Sequence, residues 1–379
     1  MRYRPVVARR DIDGLLLDLS QPDGATRPDA FAAAWAGPHA TVLRDAVFRH
    51  RLDAAARDAL RRADAPVDDD LDLIVEDDRR VRLLASRVLA ASASALDAAD
   101  IPWLVFKGPA ISSLMNRAEL RSFNDLDLLV AASAFSDAVD ALIDAGVEEI
   151  NENWTPYLTH RVGEVPMVMH GVSVDLHWHV TGLGRDRAMF RLQPHEMVAR
   201  RVERRIGETT VSVLDPVDQL LHLSVHAALG GATRVDQFRD VAVVVAGESI
   251  DWDVFVARAG EAWVDGLVGH LLDRATRAGP ATVPDEVVRR LAGDASIDRR
   301  RRLDGERVDG LRGLPVLMRR RRRRDVALVL ARRTLDRLAG PLHRGWDFTE
   351  PRSRLYHDRP SGGPAGRQAF LDAVTRGEL

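Results

Sequence analysis

The 379-residue chain contains no cysteine and a single lysine, although lysine and arginine together number 54. The first absence excludes disulfides, thiolate zinc sites and cysteine nucleophiles. The second singles out Lys107, an ammonium in a sequence where every other basic side chain of this pair is a guanidinium. No apolar run approaches the roughly 18–20 residues that cross a bilayer. The opening MRYRPVVARRDIDGLLLDL also lacks a long apolar core with a cleavage site, so a cytoplasmic protein without a membrane span is expected. Net charge is scarce as well: a formal −3 gives no global reason to expect a nucleic-acid partner. A hydrophobic content of 46% over this length suits two or three domains with a sizeable core.

What is present concentrates between Val105 and Val130, VFKGPAISSLMNRAELRSFNDLDLLV. Leu126, Leu128, Leu129 and Val130 read as a buried strand. On such a strand Asp125 and Asp127 project from one face, about 6.5–7 Å apart at Cα. Two carboxylates on one face repel each other and are costly to desolvate unless a cation sits between them. Oxygen ligands held this way suit Mg²⁺ or Mn²⁺, which take their remaining ligands from water and phosphates. The plainer alternative is a strand end whose acids face solvent.

Two neighbours bear on that choice. Upstream, the apolar strand Trp103 to Phe106 ends in Lys107-Gly108-Pro109 and leads into a helix expected over Ala110 to Met115. A strand-to-helix turn of this kind offers backbone N–H groups and a helix N-terminus to an anion, and Lys107 adds a full positive charge. Downstream, Val172-Ser173-Val174-Asp175-Leu176-His177-Trp178 alternates as a strand whose Asp175 adds a third carboxylate. Three acids on adjacent strands are what two-metal phosphoryl transfer requires, one metal at the attacking oxygen and one at the triphosphate.

The order Lys107-Gly108, then Arg121 through Val130, then Val174 through Trp178 resembles the uncharacterised bacterial nucleotidyltransferase family of the DNA polymerase β-like superfamily. A weaker likeness continues through Leu220–His226 and Arg234–Asp240, so the resemblance spans roughly Ser94 to Gly247. It implies an α+β fold with a mixed sheet and flanking helices. It also implies transfer of a nucleoside monophosphate from an NTP to an acceptor, with pyrophosphate released and Mg²⁺ or Mn²⁺ as cofactor. Asp125 and Asp127 would then hold both metals, and Asp175 would complete the site and assist deprotonation of the acceptor. Lys107, Gly108 and Arg121 would bind the triphosphate. The wider superfamily carries Gly-Ser at the triphosphate turn, whereas Lys107-Gly108-Pro109 stands here, and Pro109 removes one backbone donor.

Other residues carry competing readings. Arg121 is either a phosphate or carboxylate partner or one half of a surface ion pair. His177 shares a face with Asp175 and is a candidate ligand or acceptor contact, although triphosphate-bound Mg²⁺ prefers oxygen. His222 and His226 lie four apart on an expected helix; a hydrogen-bonded helix face or a nucleotide-facing cleft lining fits better than zinc, since no HExxH glutamate or third ligand accompanies them. Asp240 could close a helical domain on the site through an arginine, or serve as an ordinary cap or ion pair. The run Arg319–Arg324 reads as a solvated basic face, with an acidic partner, RNA or an anionic membrane surface as alternatives.

The expected organisation is a helical N-terminal domain (1–98), an α/β nucleotidyltransferase domain (99–214), a helical domain (215–300), and an arginine-rich helical segment with a C-terminal tail (301–379). Partners are an NTP and an acceptor of small-molecule, peptide, sugar-phosphate or protein nature. A DxD-type glycosyltransferase using a nucleotide-sugar, and a non-catalytic nucleotide- or partner-binding module, are the alternatives.

Overall fold

The computed structural model describes residues 6–187, 190–229, 234–278, 281–294, 297–298 and 360–379. Alanine-rich, helix-spaced sequence forms α1 (Val6–Leu19), α2 (Pro28–Trp35), α3 (Ala40–Arg49), α4 (Asp53–Arg62) and α5 (Asp69–Ala98) before the first strand. Three acids, Asp69, Asp70 and Asp72, open the 30-residue α5 and complement the positive end of its dipole. Further along, Ala85, Val88, Leu89 and Leu96 turn into the core beneath the sheet.

Among the described residues seven strands follow: β1 (Trp103–Val105), β2 (Asp125–Val130), β3 (Glu148–Glu149), β4 (Glu164–Met169), β5 (Val172–His177), β6 (Val202–Ile206) and β7 (Thr209–Val213). They form one sheet in the order β3-β4-β5-β2-β1-β7-β6. Strand β2 runs parallel to β5 and antiparallel to β1, so the sheet is mixed, in keeping with an α+β fold. A tight turn joins β4 to β5 through His170 and Gly171, at φ 53° and 78°. Two successive positive φ angles define the turn that matches the twist of a two-residue hairpin.

The period-two pattern of β2 and β5 divides the sheet into two environments. Leu126, Leu128 and Val130, with Val172, Val174 and Leu176, enter one core together with α5 and the helices α7 (Phe135–Asp144) and α8 (Trp154–His160). On the other face Leu104, Phe106 and Leu129 join a second core. Asp125, Asp127, Asp175 and His177 belong to that second face by their register. Helix α6 (Gly108–Ser112) links β1 to β2, while α9 (Gly184–Arg187) and α10 (Pro194–Ala199) precede β6.

The second core is completed by α11 (Pro216–Leu229), α12 (Val235–Gly247), α13 (Trp252–Glu261), α14 (Asp265–Ala278) and α15 (Asp285–Ala292). Helix α11 is buried from Val217 to Val225, its polar Asp218, Gln219, His222 and Ser224 included, which seats it centrally. Strands β6 and β7 lack a simple sequence signature. Val211 and Val213 are buried in β7, but β6 is the polar VERRI at the sheet edge. Its place follows from pairing with β7, whose Val213 in turn pairs with Val105 of β1.

The Arg319–Arg324 run lies outside the described residues. The last described stretch carries α16 (Gly363–Thr375), which packs on α7 and α8. Its Phe370 is fully buried, with ring centroids 5.6 Å from both Trp154 and Tyr157 and 6.3 Å from Phe135. Trp154 also donates its backbone N–H to the Ser361 carbonyl at 2.9 Å. Phe370→Ala is expected to destabilise the protein by about 3–5 kcal/mol, because it removes the aromatic centre of this cluster and leaves a cavity. Denaturant unfolding measures the loss, and a change under about 1 kcal/mol would show that α16 is not part of the cooperative core.

Candidate functional site

Parallel pairing of β2 with β5 puts Asp127 directly beside Asp175. Asp127 is 1% exposed. Its Oδ1 accepts from Lys107 Nζ at 2.5 Å and lies 3.0 Å from His177 Nε2. Its Oδ2, equally buried, has no hydrogen-bond partner. A buried carboxylate oxygen without a donor is costly, so this orphan atom marks a place where a cation fits. One ligand atom from each of Asp127, Asp175 and His177 lies within 4.8 Å of the others, a separation that suits a shared ion. Asp125 stands one strand step away on the same face, half-buried at the end of β2.

The charges reinforce this reading. Burial pushes the Asp175 carboxyl up to about 7, helped by Glu164 and Asp127. Burial, then Asp127, also raises Asp125. Burial would raise Asp127 too, but Lys107 and His177 overcome it and hold that carboxyl well below the usual range. Lys107 in turn is depressed by burial yet raised above the ordinary lysine value by Asp127 and Glu164. One ammonium therefore serves several clustered acids, and the unmet demand is for more positive charge.

Residues 40–278 of this chain match the family described as uncharacterised nucleotidyltransferase. The chain belongs to that family. No curated protein matches it. The match covers the sheet, the acidic cluster and most of the helices α11–α15, so the site of this family member is built from the matched region.

The remaining anticipated residues fall into two groups. Lys107 joins the acid cluster directly. Gly108, at φ 30°, meets the backbone of β2: a Cβ there would lie 3.1 Å from the Asp125 carbonyl and 3.3 Å from the Phe123 ring. Arg121 spends its guanidinium on a fork to Asp240, with Nε to Oδ1 and Nη2 to Oδ2 both at 2.8 Å. Its Nη1 donates to the Gly108 carbonyl at 3.1 Å. Through Arg121, Asp240 ties α12 to the turn that follows β1. Burial would raise its carboxyl, but Arg121 holds it below the ordinary value.

The histidine pair on α11 packs behind Phe106. His222 is buried, and its ring meets Phe106 edge-on at 4.8 Å. Phe106 contacts His177 at 5.0 Å on another side, while His226 tilts against His222 at 5.8 Å. Burial and Lys107 hold the His222 imidazole well below its usual pKa, which keeps it neutral. Among the described residues these two histidines join no cluster of three or more candidate metal ligands.

Sequence reading missed Glu164 and Arg51. Glu164 pairs with His177 in register across β4 and β5, and its Oε2 lies 3.2 Å from His177 Nδ1. A glutamate opening a strand carries no motif of its own. Arg51, in the α3–α4 turn at φ 51°, is exposed and close enough to lower the Asp125 carboxyl.

Asp240→Ala is expected to cost about 3–5 kcal/mol at pH 7, since it leaves Arg121 buried and unpaired. Because the folded-state carboxyl sits below its ordinary 3.8, the ion pair stabilises above that value and its contribution fades as pH falls further. The gap between wild type and variant in chemical denaturation should be full at neutral pH and shrink only in acid. The double variant Arg121→Met/Asp240→Leu should recover most of the loss.

Proposed function

We propose that the chain is a metal-dependent nucleotidyltransferase that moves a nucleoside monophosphate from an NTP to an acceptor hydroxyl or phosphate and releases pyrophosphate. The observation that carries this reading is the unpartnered, buried Oδ2 of Asp127 beside Asp175, next to the chain's single lysine. The mixed sheet, with its acids on two parallel neighbouring strands, supports a core of the DNA polymerase β-like type.

Asp125, Asp127 and Asp175 are the residues that would hold Mg²⁺ or Mn²⁺. When bound, the ions supply neutralisation of phosphate charge and polarisation of the acceptor oxygen. The chain's own groups account for the rest. Asp175, half-buried and hydrogen-bonded only weakly by Ser173 at 3.4 Å, is placed to take the acceptor proton. As the acceptor oxygen bonds to the α-phosphorus, the bond from that phosphorus to the β-phosphate oxygen breaks and pyrophosphate departs. Lys107 faces the same acids and meets the triphosphate as a compact point charge. Arg121, fixed between Asp240 and the Gly108 carbonyl, shapes the turn that presents Lys107 and adds positive potential behind it. Arg51 offers a further cation from the N-terminal helices. Lining by His226 would face the acceptor.

Calorimetric titration with ATP, GTP, CTP and UTP in the presence of Mg²⁺ or Mn²⁺ tests the donor. One nucleotide should bind in a metal-dependent manner, and Asp125→Ala/Asp127→Ala should lose that binding. Asp175→Asn should retain nucleotide binding while turnover falls by at least 10³-fold, an order-of-magnitude figure for losing a reaction-specific group. Binding of nucleotide-sugars in place of all four triphosphates would replace this reading with glycosyl transfer.

A further inference from the structure

The acid cluster contains a nitrogen that an oxygen-only magnesium site does not need. His177 is 3% exposed and stands between two carboxylates, with Nε2 3.0 Å from Asp127 Oδ1 and Nδ1 3.2 Å from Glu164 Oε2. Glu164 is itself buried at 5% exposure, and strand register holds it opposite the histidine. An imidazole that binds a metal through one nitrogen carries its single proton on the other. Asp127 already receives the Lys107 ammonium on Oδ1, whereas Glu164 faces Nδ1 from the far side of the ring. Nε2 contacts Asp127 Oδ1, and Nδ1, 3.2 Å from Glu164 Oε2, has no aligned hydrogen-bond partner; ligation of a cation held by Asp127 and Asp175 would use the Nε2 lone pair and put the ring proton on Nδ1, facing Glu164. This is the arrangement in which a carboxylate fixes the tautomer and orientation of a metal-ligating histidine.

We propose that His177, oriented by Glu164, is a nitrogen ligand to the cation held by Asp127 and Asp175, and that it makes the site select Mn²⁺ or a later first-row divalent ion over Mg²⁺. The inference rests on the metal-site reading given above and sharpens it. Two independent observations support it. Ligand atoms of Asp127, Asp175 and His177 lie within 4.8 Å of one another, and Asp127 Oδ2 is buried without a partner. Magnesium demands oxygen ligands in near-ideal octahedral geometry, whereas imidazole suits transition ions, with affinity rising from Mn²⁺ through Co²⁺. Phe106, edge-on to His177 at 5.0 Å, blocks the ring from swinging away into the second core. Glu164 is a positioning residue here, and His177 the group that touches the ion.

The test uses the full chain without nucleotide. Calorimetric titrations with MnCl₂ and MgCl₂ give the affinity ratio, and pulsed electron paramagnetic resonance of the Mn²⁺-loaded protein reports whether ¹⁴N is coupled to the ion. Wild type should bind Mn²⁺ at least about tenfold more tightly than Mg²⁺, following the ligand preference, and should show the ¹⁴N coupling. His177→Gln should abolish the coupling and lower the ratio toward one. Glu164→Gln should weaken Mn²⁺ binding by about 10–100-fold, as loss of a supporting carboxylate does, with a much smaller effect on Mg²⁺. Mn²⁺ binding by wild type that lacks ¹⁴N coupling but is lost in Asp127→Asn would overturn the histidine ligand and leave the nucleotidyl-transfer reading standing. Mn²⁺ binding unaffected by Asp127→Asn, or no binding of either ion, would overturn both. The wild-type spectrum decides the question even if a variant fails to fold.

Discussion

The burial of one carboxylate governs this protein. Asp127 sits in the middle of the sheet, and a charge there survives only because Lys107 and His177 contact one oxygen from two directions. That requirement fixes the neighbourhood. Lysine suits the position as a compact ammonium that reaches 2.5 Å from Oδ1, whereas a planar guanidinium would need room for a fork. The parallel partner strand must bring Asp175 and His177 to the same face, and the alternation of β5 does so while burying Val172, Val174 and Leu176 on the other. The second oxygen of Asp127 is left over, buried and without a donor.

Helices beyond the sheet are tied to the same spot. The turn after β1 is gripped from two sides: Gln219 of α11 donates to the Phe106 carbonyl at 3.0 Å, and Arg121, held by Asp240 of α12, donates to the Gly108 carbonyl. His222 closes the back of Phe106. Fully buried Arg239 adds a bond to the Leu120 carbonyl at 2.9 Å, fixing the segment that leads into Arg121. A displacement of α11 or α12 would therefore be felt at Lys107 through backbone carbonyls. The helical region acts as a brace for the turn.

The local half of this arrangement was legible in sequence because strand periodicity is a strict rule. Asp-x-Asp and Asp-x-His can only present their polar members together when the intervening residues are apolar and buried, and Leu126 and Leu176 are both fully buried. Adjacency of the two strands came from family resemblance; their register, which places Asp127 against Asp175, is a tertiary fact. The partners of Arg121 and His177 were harder to read. Asp240 is 119 residues from Arg121, and nothing in the local pattern of α12 separates it from an ordinary helix-face acid. Glu164 was invisible because its place opposite His177 is set by the pairing of β4 with β5 and not by any local motif. The edge strand β6 escaped for a related reason: its polar residues give no alternation, and its conformation is imposed by β7. Phe370 lay in sequence read as a tail, since an aromatic's burial depends on the pocket that receives it.

A chain with one lysine carries its own chemical footprint. Amine-directed acylation has a single side-chain target, and that target is the counter-ion of the central carboxylate. While Lys107 is clamped on Asp127 its nitrogen is protonated and a poor nucleophile. Any ligand that draws the ammonium away, or releases it by satisfying Asp127 with another cation, changes the labelling rate at one residue. Mass spectrometry of a single modified peptide can therefore follow occupancy of the site without a substrate, a product or an engineered probe.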